Sequence, residues 1–131
     1  MTGEQIKSER VAWNDEAAEM LKSAAHNCSI EDLEDQVSYG ASLFRLTLDD
    51  ELLGYYILRV DHLKYWSEAV FVAGAGKTAD FDLPKLSVLL AEKQTQNCKY
   101  LRIHTARAGV VKKLTQLGYK PQEFIMMKEL N

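Results

Sequence analysis

The chain has 131 residues, of which 47% are hydrophobic and 27% charged, which is enough for one globular domain with its own core. No apolar run approaches the roughly 20 residues of a membrane helix, and Met1–Arg10 lacks the apolar stretch of a signal peptide. The net charge of −3 argues against general nucleic-acid binding, which needs lysine and arginine to displace counterions from phosphates. We therefore expect a single cytoplasmic domain over residues 1–131, with no membrane partner.

The charges are unevenly distributed. The N-terminal third is acidic, whereas Asn97–Lys120 has six basic residues and no acidic one. This uneven distribution of charge suits a small anionic ligand or an acidic partner that binds the basic segment. The alternative is that the basic residues form an ordinary solvated helix face. Cys28 and Cys98 lie in different helical patterns and, like the three histidines, show no metal-ligand spacing. We expect reduced thiols and no metal site.

Two helices are predicted first. Ala17, Met20, Leu21, Ala24 and Cys28 recur at helical spacing. Asn14 is a suitable N-cap for this first helix. In the second helix Ser29 is the cap, with Asp32 three residues on in a near capping box, and the helix ends near Gly40.

The period then changes from helix to strand. Ser42–Leu48, Leu52–Val60 and Tyr65–Ala73 are rich in β-forming residues and are separated by short turns, which predicts an antiparallel meander. The third strand is apolar on both faces around Val70–Ala73, as expected of a central strand covered on both sides.

The C-terminal half is predicted to alternate helix and strand. Asp82 caps a helix with Pro84 in its first turn and a leucine stripe that runs to about Gln96. Tyr100–Ala106 is a strand, and the next helix ends at Gly118. Glu123–Leu130 is the last predicted strand. From the meander's third strand onward the order is β-α-β-α-β, and a strand, a crossover helix and a second strand should be parallel.

The segment "EAVFVAGAGKT", Glu68–Thr78, has the composition of a phosphate-binding loop. A nucleotide-binding P-loop would need glycine at position 71, where the chain has Phe71. The segment before Gly74 also has the composition of a strand, so no loop remains to wrap a β-phosphate. An ATPase or GTPase is therefore disfavoured, although closely spaced glycines still allow main-chain N–H groups to approach a pyrophosphate.

This order of elements, ending in strand, helix, "LGY" and strand, resembles the GNAT superfamily of acetyl-CoA-dependent N-acetyltransferases. The resemblance covers nearly the whole chain and is strongest in "YLRIHTARAGVVKKLTQLGYKPQEFIMMKEL". The chain is also similar in size to small GNAT-like proteins of phages and prophages. The implied fold is an α/β (α+β) GNAT-like mixed sheet, with an antiparallel meander followed by β-α-β-α-β.

The resemblance implies an acetyl-CoA site where two parallel strands part just past Ala73. The family's loop pattern, [Q/R]-x-x-G-x-[G/A], falls on Phe71, Gly74 and Gly76. Arg107 or Lys112 is the candidate partner of a nucleotide phosphate. The implied cofactor-binding main chain is that of Val72, Ala73, Gly74, Ala75, Gly76, Lys77 and Thr78.

Two side chains are candidates for proton transfer. Glu68 begins the central strand and would take the proton of an amine, and His104 on the neighbouring strand is an acid or base that works at neutral pH. The alternative for Glu68 is a solvated strand-end carboxylate, and for His104 a histidine satisfied by main chain. The resemblance implies a tyrosine that protonates the departing thiolate, but the chain has Leu114 at that position.

Two functions remain open. One is an acetyl-CoA-dependent N-acetyltransferase acting on a small-molecule or protein amine. The other is a catalytically degenerate GNAT-like binding or structural protein of phage or prophage origin. The glycines and the basic last helix favour the first function, whereas Phe71 and Leu114 favour the second.

Overall fold

The computed structural model describes residues 5–24, 29–76, 82–105 and 107–131. This part of the chain forms five strands and four α-helices. In chain order they are β1 (Ile6–Val11), α1 (Asp15–Leu21, continued by the 3-10 turn Lys22–Ala24), α2 (Ile30–Ser38), β2 (Ser42–Leu48), β3 (Glu51–His62), β4 (Ser67–Gly76), α3 (Leu83–Gln94), β5 (Tyr100–Ile103) and α4 (Ala108–Gln116).

The five strands form one mixed sheet in the order β1-β2-β3-β4-β5. The pairs from β1 to β4 are antiparallel, and only β4 and β5 run parallel. The predicted meander and the parallel crossover through α3 are both present, so the expectation of an α/β mixed sheet is confirmed.

Helices cover both faces of the sheet. On one face α1 and α2 bury Ala17, Leu21 and Leu33 against Leu43 and Ile57. On the other face α3 buries Ala91 in a cluster that also contains Leu46, Leu53, Tyr56 and Leu58. Because both faces are covered, the central strand β4 is apolar on both sides, with Ala69, Val70 and Ala73 buried.

The predicted caps set the helix ends. The Asn14 side chain accepts the Ala17 N–H at 2.9 Å, and Ser29 and Asp32 form a capping box. Gly118 has φ +95°, and the Tyr119 N–H donates to the Leu114 carbonyl at 3.0 Å, so α4 ends in a left-handed turn that favours glycine.

Two segments differ from the sequence prediction. Ile6–Val11 is an edge strand that the polar N-terminus does not suggest, and it pairs with β2 from Ile6↔Leu48 to Val11↔Leu43. The segment predicted as the last strand, Glu123–Leu130, is not a strand, and its large apolar side chains are exposed. A β-forming sequence needs a neighbouring strand, and none lies beside this one in the described residues.

Two further expectations concern the environment of the protein. No helix in the described ranges is long and apolar enough to cross a membrane. Cys98 is a free, half-buried thiol, and Cys28 lies outside the described residues.

Candidate functional site

The two parallel strands part within the central sheet. The β4–β5 ladder runs from Glu68↔Tyr100 to Phe71↔Ile103 and stops there, while β4 continues to Gly76. The separation begins two residues earlier than the sequence indicated. On the β5 side, Val72–Gly76 therefore have no strand partner among the described residues, and their main-chain groups on that side are available to a ligand.

A β-bulge lies at the point where the strands part. Ile57 pairs with Ala73 and Leu58 with Phe71, so Val72 is the extra residue of β4. Val72, Ala73 and Ala75 all contact the core cluster under α1 and α2. The bulge therefore places two consecutive side chains, Val72 and Ala73, on the same face of the sheet.

A cavity of about 360 Å³ occupies the space between the parted strands. This volume is within the usual range for small-molecule sites. Its walls are Val72–Gly76 of β4, Ile103–Thr105 at the end of β5, the first turns of α3 and the inner face of α4.

Most of the predicted site residues meet at this cavity. The lining includes Val72, Ala73, Gly74, Ala75 and Gly76, together with His104 and Arg107. Lys77 and Thr78 lie outside the described residues.

Glu68 is not in the lining, because it begins β4 whereas the cavity lies at the strand's other end. Six residues of extended chain separate Glu68 from Gly74, roughly 20 Å. Its carboxylate accepts the Trp66 indole N–H at 3.2 Å and lies 3.4 Å from the Arg102 guanidinium. The role of Glu68 as a base therefore stays a prediction, and the position of Glu68 outside the cavity does not favour it.

The two glycines of the loop pattern are needed for packing within the protein. A Cβ at Gly74 would lie 2.9 Å from Cε1 of Phe71, and a Cβ at Gly76 would contact the Leu83 side chain and lie 2.7 Å from the Leu53 carbonyl oxygen. Real Cβ contacts are longer than these. The glycines thus accommodate neighbouring protein atoms, a role distinct from the phosphate approach that their spacing suggests.

Phe71 belongs to a stack of three rings beside the cavity. Its ring lies 5.6 Å from that of Tyr56 and nearly parallel to it, and Tyr56 lies 5.2 Å from Phe44. The Tyr56 hydroxyl is fixed by Ser8 and by Gln94 of α3 at 2.6 and 2.7 Å. This stack holds the Phe71 ring as part of the cavity wall.

The N-terminus of α3 already holds an internal anion. Asp82 accepts the Lys85 N–H at 3.3 Å, and its carboxylate lies 2.9 Å from Lys113 Nζ on α4. The Lys113 hydrogen bond, with further contributions from Lys85, holds the pKa of Asp82 below its usual value. This ion pair joins α3 to α4 beside the cavity, which Lys113 and Lys85 both line.

The polar groups of the cavity differ in how far they are engaged. The Tyr55 hydroxyl donates to Glu16 at 2.5 Å, and burial, followed by this hydrogen bond, raises the pKa of Tyr55. His104 is exposed at the end of β5. Leu114 lines the wall where the resemblance implies a tyrosine. Histidine is the residue type most often used as a general acid or base, so His104 is the lining side chain whose chemistry suits proton transfer.

Sequence reasoning missed Lys85 and Lys113 as lining residues. Each lies on a helix that the periodicity predicts, but a helix pattern does not show which neighbouring helix it meets. The position of Lys85 in the first turn of α3, just after the Asp82 cap, is the one sequence signal that could have indicated it.

Neither a protein-family model nor a curated protein sequence matches the chain. Solved structures do match. A Bacillus subtilis acetyltransferase in complex with CoA superposes with a TM-score of 0.71 at 19% identity, over 91% of this chain and 79% of that one. This chain therefore has the GNAT fold.

Two further GNAT-fold neighbours cover nearly both chains. An aminoglycoside acetyltransferase from an uncultured soil metagenomic sample, in complex with sisomicin, has a TM-score of 0.66 at 14% identity, over 96% of this chain and 97% of that one. The ribosomal-protein-alanine N-acetyltransferase from Brucella melitensis has a TM-score of 0.65 at 12% identity, over 98% and 100%. Identities this low establish the fold alone.

Proposed function

We propose that this chain is an N-acetyltransferase that binds acetyl-CoA between β4 and β5 and transfers the acetyl group to an amine. The observation that carries the proposal is the parting of the two parallel strands after Phe71↔Ile103, with the cavity between them. The free main chain of Val72–Gly76 offers N–H and C=O groups to the amides of an extended ligand.

Electrostatics support an anionic ligand with its phosphates at the mouth of the cavity. Arg107, Lys85 and Lys113 all line it, and each provides hydrogen-bond donors for phosphate oxygens. Asp82 opposes this binding, because its carboxylate already occupies the N-terminus of α3 and pairs with Lys113. We assign Arg107 and Lys85 as the main phosphate contacts, since the ion pair of Asp82 engages Lys113.

Acetyl-CoA supplies an acetyl group that is activated as a thioester. The residues of the chain must hold the acceptor amine in its neutral form, accept the proton that the nitrogen loses on acylation, and allow the departing thiolate of CoA to be protonated. His104 can carry that proton, because histidine is a common general acid or base and His104 is open to solvent. Leu114 cannot donate a proton, so we assign protonation of the thiolate to His104 or water.

A second candidate is a GNAT-fold protein that binds a ligand without catalysis. Two observations favour it: Leu114 stands in the cavity wall in place of an acid, and Asp82 occupies the position on α3 where an anion would bind. The two candidates differ in turnover, and both allow binding.

Calorimetry with acetyl-CoA followed by an acetylation assay tests both candidates. We expect submillimolar binding and a higher melting temperature with ligand, by mass action. Acceptors to try follow from the names of the two GNAT-fold neighbours: an aminoglycoside and an alanine peptide. Because Cys98 is a free thiol, released CoA should be measured by chromatography and not with a thiol reagent.

The outcomes separate the candidates. Binding with acetylation of any amine supports the transferase, and binding without acetylation across the acceptor panel favours the non-catalytic candidate. No melting shift at millimolar acetyl-CoA contradicts the cofactor site and, with it, the transferase.

A further inference from the structure

A stack of three aromatic rings crosses the sheet toward the cavity. Phe44 on β2, Tyr56 on β3 and Phe71 on β4 lie on the α3 face, with ring centroids 5.2 and 5.6 Å apart and interplanar angles of 20° and 9°. Neighbouring strands are about 4.8 Å apart, so the stack advances by one ring for each strand. Tyr56 and Phe71 line the cavity and Phe44 does not, so the stack reaches the cavity at its Phe71 end.

The next position in the stack lies in the cavity. Beyond Phe71 the adjacent strand would be β5, but the β4–β5 ladder ends at the pair Phe71↔Ile103. Tyr56 covers one face of the Phe71 ring, and no second ring stacks on it in the part of the chain that the structure describes. The ring is half-buried and lies so close to Gly74 that a Cβ there would be 2.9 Å from Cε1. A fourth ring at a similar spacing would therefore stand beside the free main chain of Val72–Gly76.

The stack is held in place by hydrogen bonds within the protein. The Ser8 hydroxyl lies 2.6 Å from the Tyr56 hydroxyl, which donates to Gln94 Oε1 at 2.7 Å. Gln94 Nε2 in turn donates to the Ser8 hydroxyl at 3.1 Å. These contacts join β1, β3 and α3, and they fix the middle ring of the stack. A ring surface that is already ordered loses little conformational entropy when a ligand binds to it.

The surroundings favour a neutral ring over a cation on the Phe71 face. A cation is the other group that an aromatic face attracts. Three basic residues line the same cavity: Lys85, Arg107 and Lys113. Their positive charges oppose the entry of a further cation. Val88 and Leu114 are buried and add apolar wall, so a flat apolar ring matches the surface that the cavity offers.

We propose that Phe71 is a stacking platform for an aromatic ring of the substrates, carried by the acceptor amine or, in place of acetyl, by the acyl group of the thioester. This choice between two carriers rests on the proposed function. With the phosphates of CoA at Arg107 and Lys85, the adenine stays at the mouth of the cavity. The amine and the acyl group are the parts that reach the place where the strands separate. Both carriers predict a preference for a flat ring over a saturated ring of the same size.

Two pairs of ligands test the platform by calorimetry, without turnover. Phenylethylamine and cyclohexylethylamine share one amine and one carbon skeleton and differ in the flatness of the ring. Phenylacetyl-CoA and cyclohexylacetyl-CoA form the second pair. We expect the phenyl member of at least one pair to bind about three- to tenfold more tightly, although the cyclohexyl ring is the more apolar.

The two pairs also identify the carrier of the ring. A preference within the amine pair assigns the ring to the acceptor, and a preference within the thioester pair assigns it to the acyl group. Equal affinities within both pairs, or no binding of either phenyl ligand at millimolar concentration, would overturn the proposal. The amines are titrated with CoA and again without it, so a preference can be seen even if the cofactor does not bind.

Phe71→Leu and Phe44→Leu are matched variants at the two ends of the stack. Phe71→Leu removes the platform and should bring the ratio of phenyl to cyclohexyl affinity to about one. Phe44→Leu makes the same change at the end that does not line the cavity, and should keep the wild-type ratio. Circular dichroism shows whether both variants fold. The same ratio in the two variants would contradict the role of Phe71.

Nuclear Overhauser effects on the wild-type protein give a test that needs no variant to fold. The chain has four phenylalanines, so spectra of protein labelled at phenylalanine are simple to assign. We expect the ring protons of the bound phenyl ligand to show effects to the Phe71 ring, and a bound ligand without them would exclude the platform. The proposed function fails separately: a ring preference without affinity for acetyl-CoA supports the platform and contradicts the transferase, and acetyl-CoA binding without any ring preference does the reverse.

Discussion

The two ends of β4 are built in opposite ways. At the paired end, Ser67–Phe71, the strand is bonded to β5 as well as β3, and its one acidic side chain is engaged by Trp66 and Arg102. At the open end, Val72–Gly76, the ladder to β5 has stopped and the side chains are small and uncharged. In this strand the charged side chain therefore forms ion pairs that stabilise the sheet, whereas the available main chain lines the candidate site.

Four charged side chains at the paired end form a cluster of salt bridges. Asp61 on β3 lies 2.8 Å from Arg59 and 3.5 Å from Arg102, which in turn pairs with Glu68. Arg59, and then Arg102, hold the pKa of Asp61 below its usual value despite the opposing effect of burial. These charges neutralise one another across β3, β4 and β5, so this end has a structural explanation that requires no ligand.

The largest effect that we expect is on turnover at the open end. His104→Gln should lower the acetylation rate about a hundredfold, because general acid–base catalysis contributes a factor of that order. The affinity for acetyl-CoA, measured by calorimetry, should stay within twofold. His62→Gln is the control, since His62 bonds to Ser67 near the paired end and should retain the wild-type rate. Equal rates for the two variants would remove His104 from the mechanism.

Gly74→Ala should destabilise the open end by about 1–3 kcal/mol, as overpacking typically does. The new Cβ would lie 2.9 Å from the Phe71 ring, which is held in the three-ring stack. Urea unfolding measures the loss. Adding Phe71→Leu should recover much of it, because residues in contact are not additive. Without any recovery, the glycine would have to be explained by something other than Phe71.

Arg107→Gln should weaken acetyl-CoA binding about tenfold. A tenfold change in Kd corresponds to roughly 1.4 kcal/mol, which is of the order of one charge-assisted hydrogen bond to a phosphate. Lys112→Gln removes the same charge from the same helix at an exposed residue outside the cavity lining, and its Kd should stay within twofold. Isothermal titration at two salt concentrations checks both. Matching losses would point to the general field of α4 and not to a contact with Arg107.

Asp82→Asn should tighten acetyl-CoA binding about threefold, because it removes a like charge and releases Lys113. Asparagine still caps α3, so the helix should remain. The pKa of Asp82 is lowered in the folded protein, so its stabilising effect is present above about pH 4 and is lost as the pH falls through the folded-state value. Melting curves of the two proteins should therefore differ at about pH 7 and converge as the pH falls through the folded-state pKa of Asp82.

The smallest effect is expected at the paired end. Glu68→Gln should leave the acetylation rate within twofold, because Glu68 does not line the cavity. The glutamine side chain would keep a hydrogen-bond acceptor for Trp66 and lose the charge that faces Arg102. Steady-state kinetics decide the point, and a hundredfold slower variant would restore the carboxylate as a base.

Periodicity was sufficient to predict most of the fold. α1 and α2 have apolar residues at helical spacing after recognisable caps, and both caps form as expected. The edge strand Ile6–Val11 was missed because it is largely exposed and pairs through its main chain, so it carries no alternation of apolar residues. Glu123–Leu130 has the composition of a strand but is not one, because composition does not supply the neighbouring strand with which it would pair.

The sequence predicted the location of the candidate site better than it predicted the contacts within it. The glycine spacing located the cavity, and His104 and Arg107 both line it. The packing role of Gly74 depends on where the Phe71 ring points, and local sequence does not encode that direction. The pair between Asp82 and Lys113 joins residues 31 positions apart, so it appears only when α3 and α4 meet.

The extra residue Val72 also affects how the length of this chain can vary. Val72 and Ala73 lie one after the other on the face under α1 and α2, so deleting Val72 would restore simple alternation and leave Ala73–Gly76 on the sides that they now face. Deleting Gly74 would instead put the methyl group of Ala75 where the Phe71 ring leaves no room for a Cβ. A single-codon deletion of Gly74 should therefore be more damaging than one of Val72, and in related sequences we expect any gap in this strand to fall at the bulge.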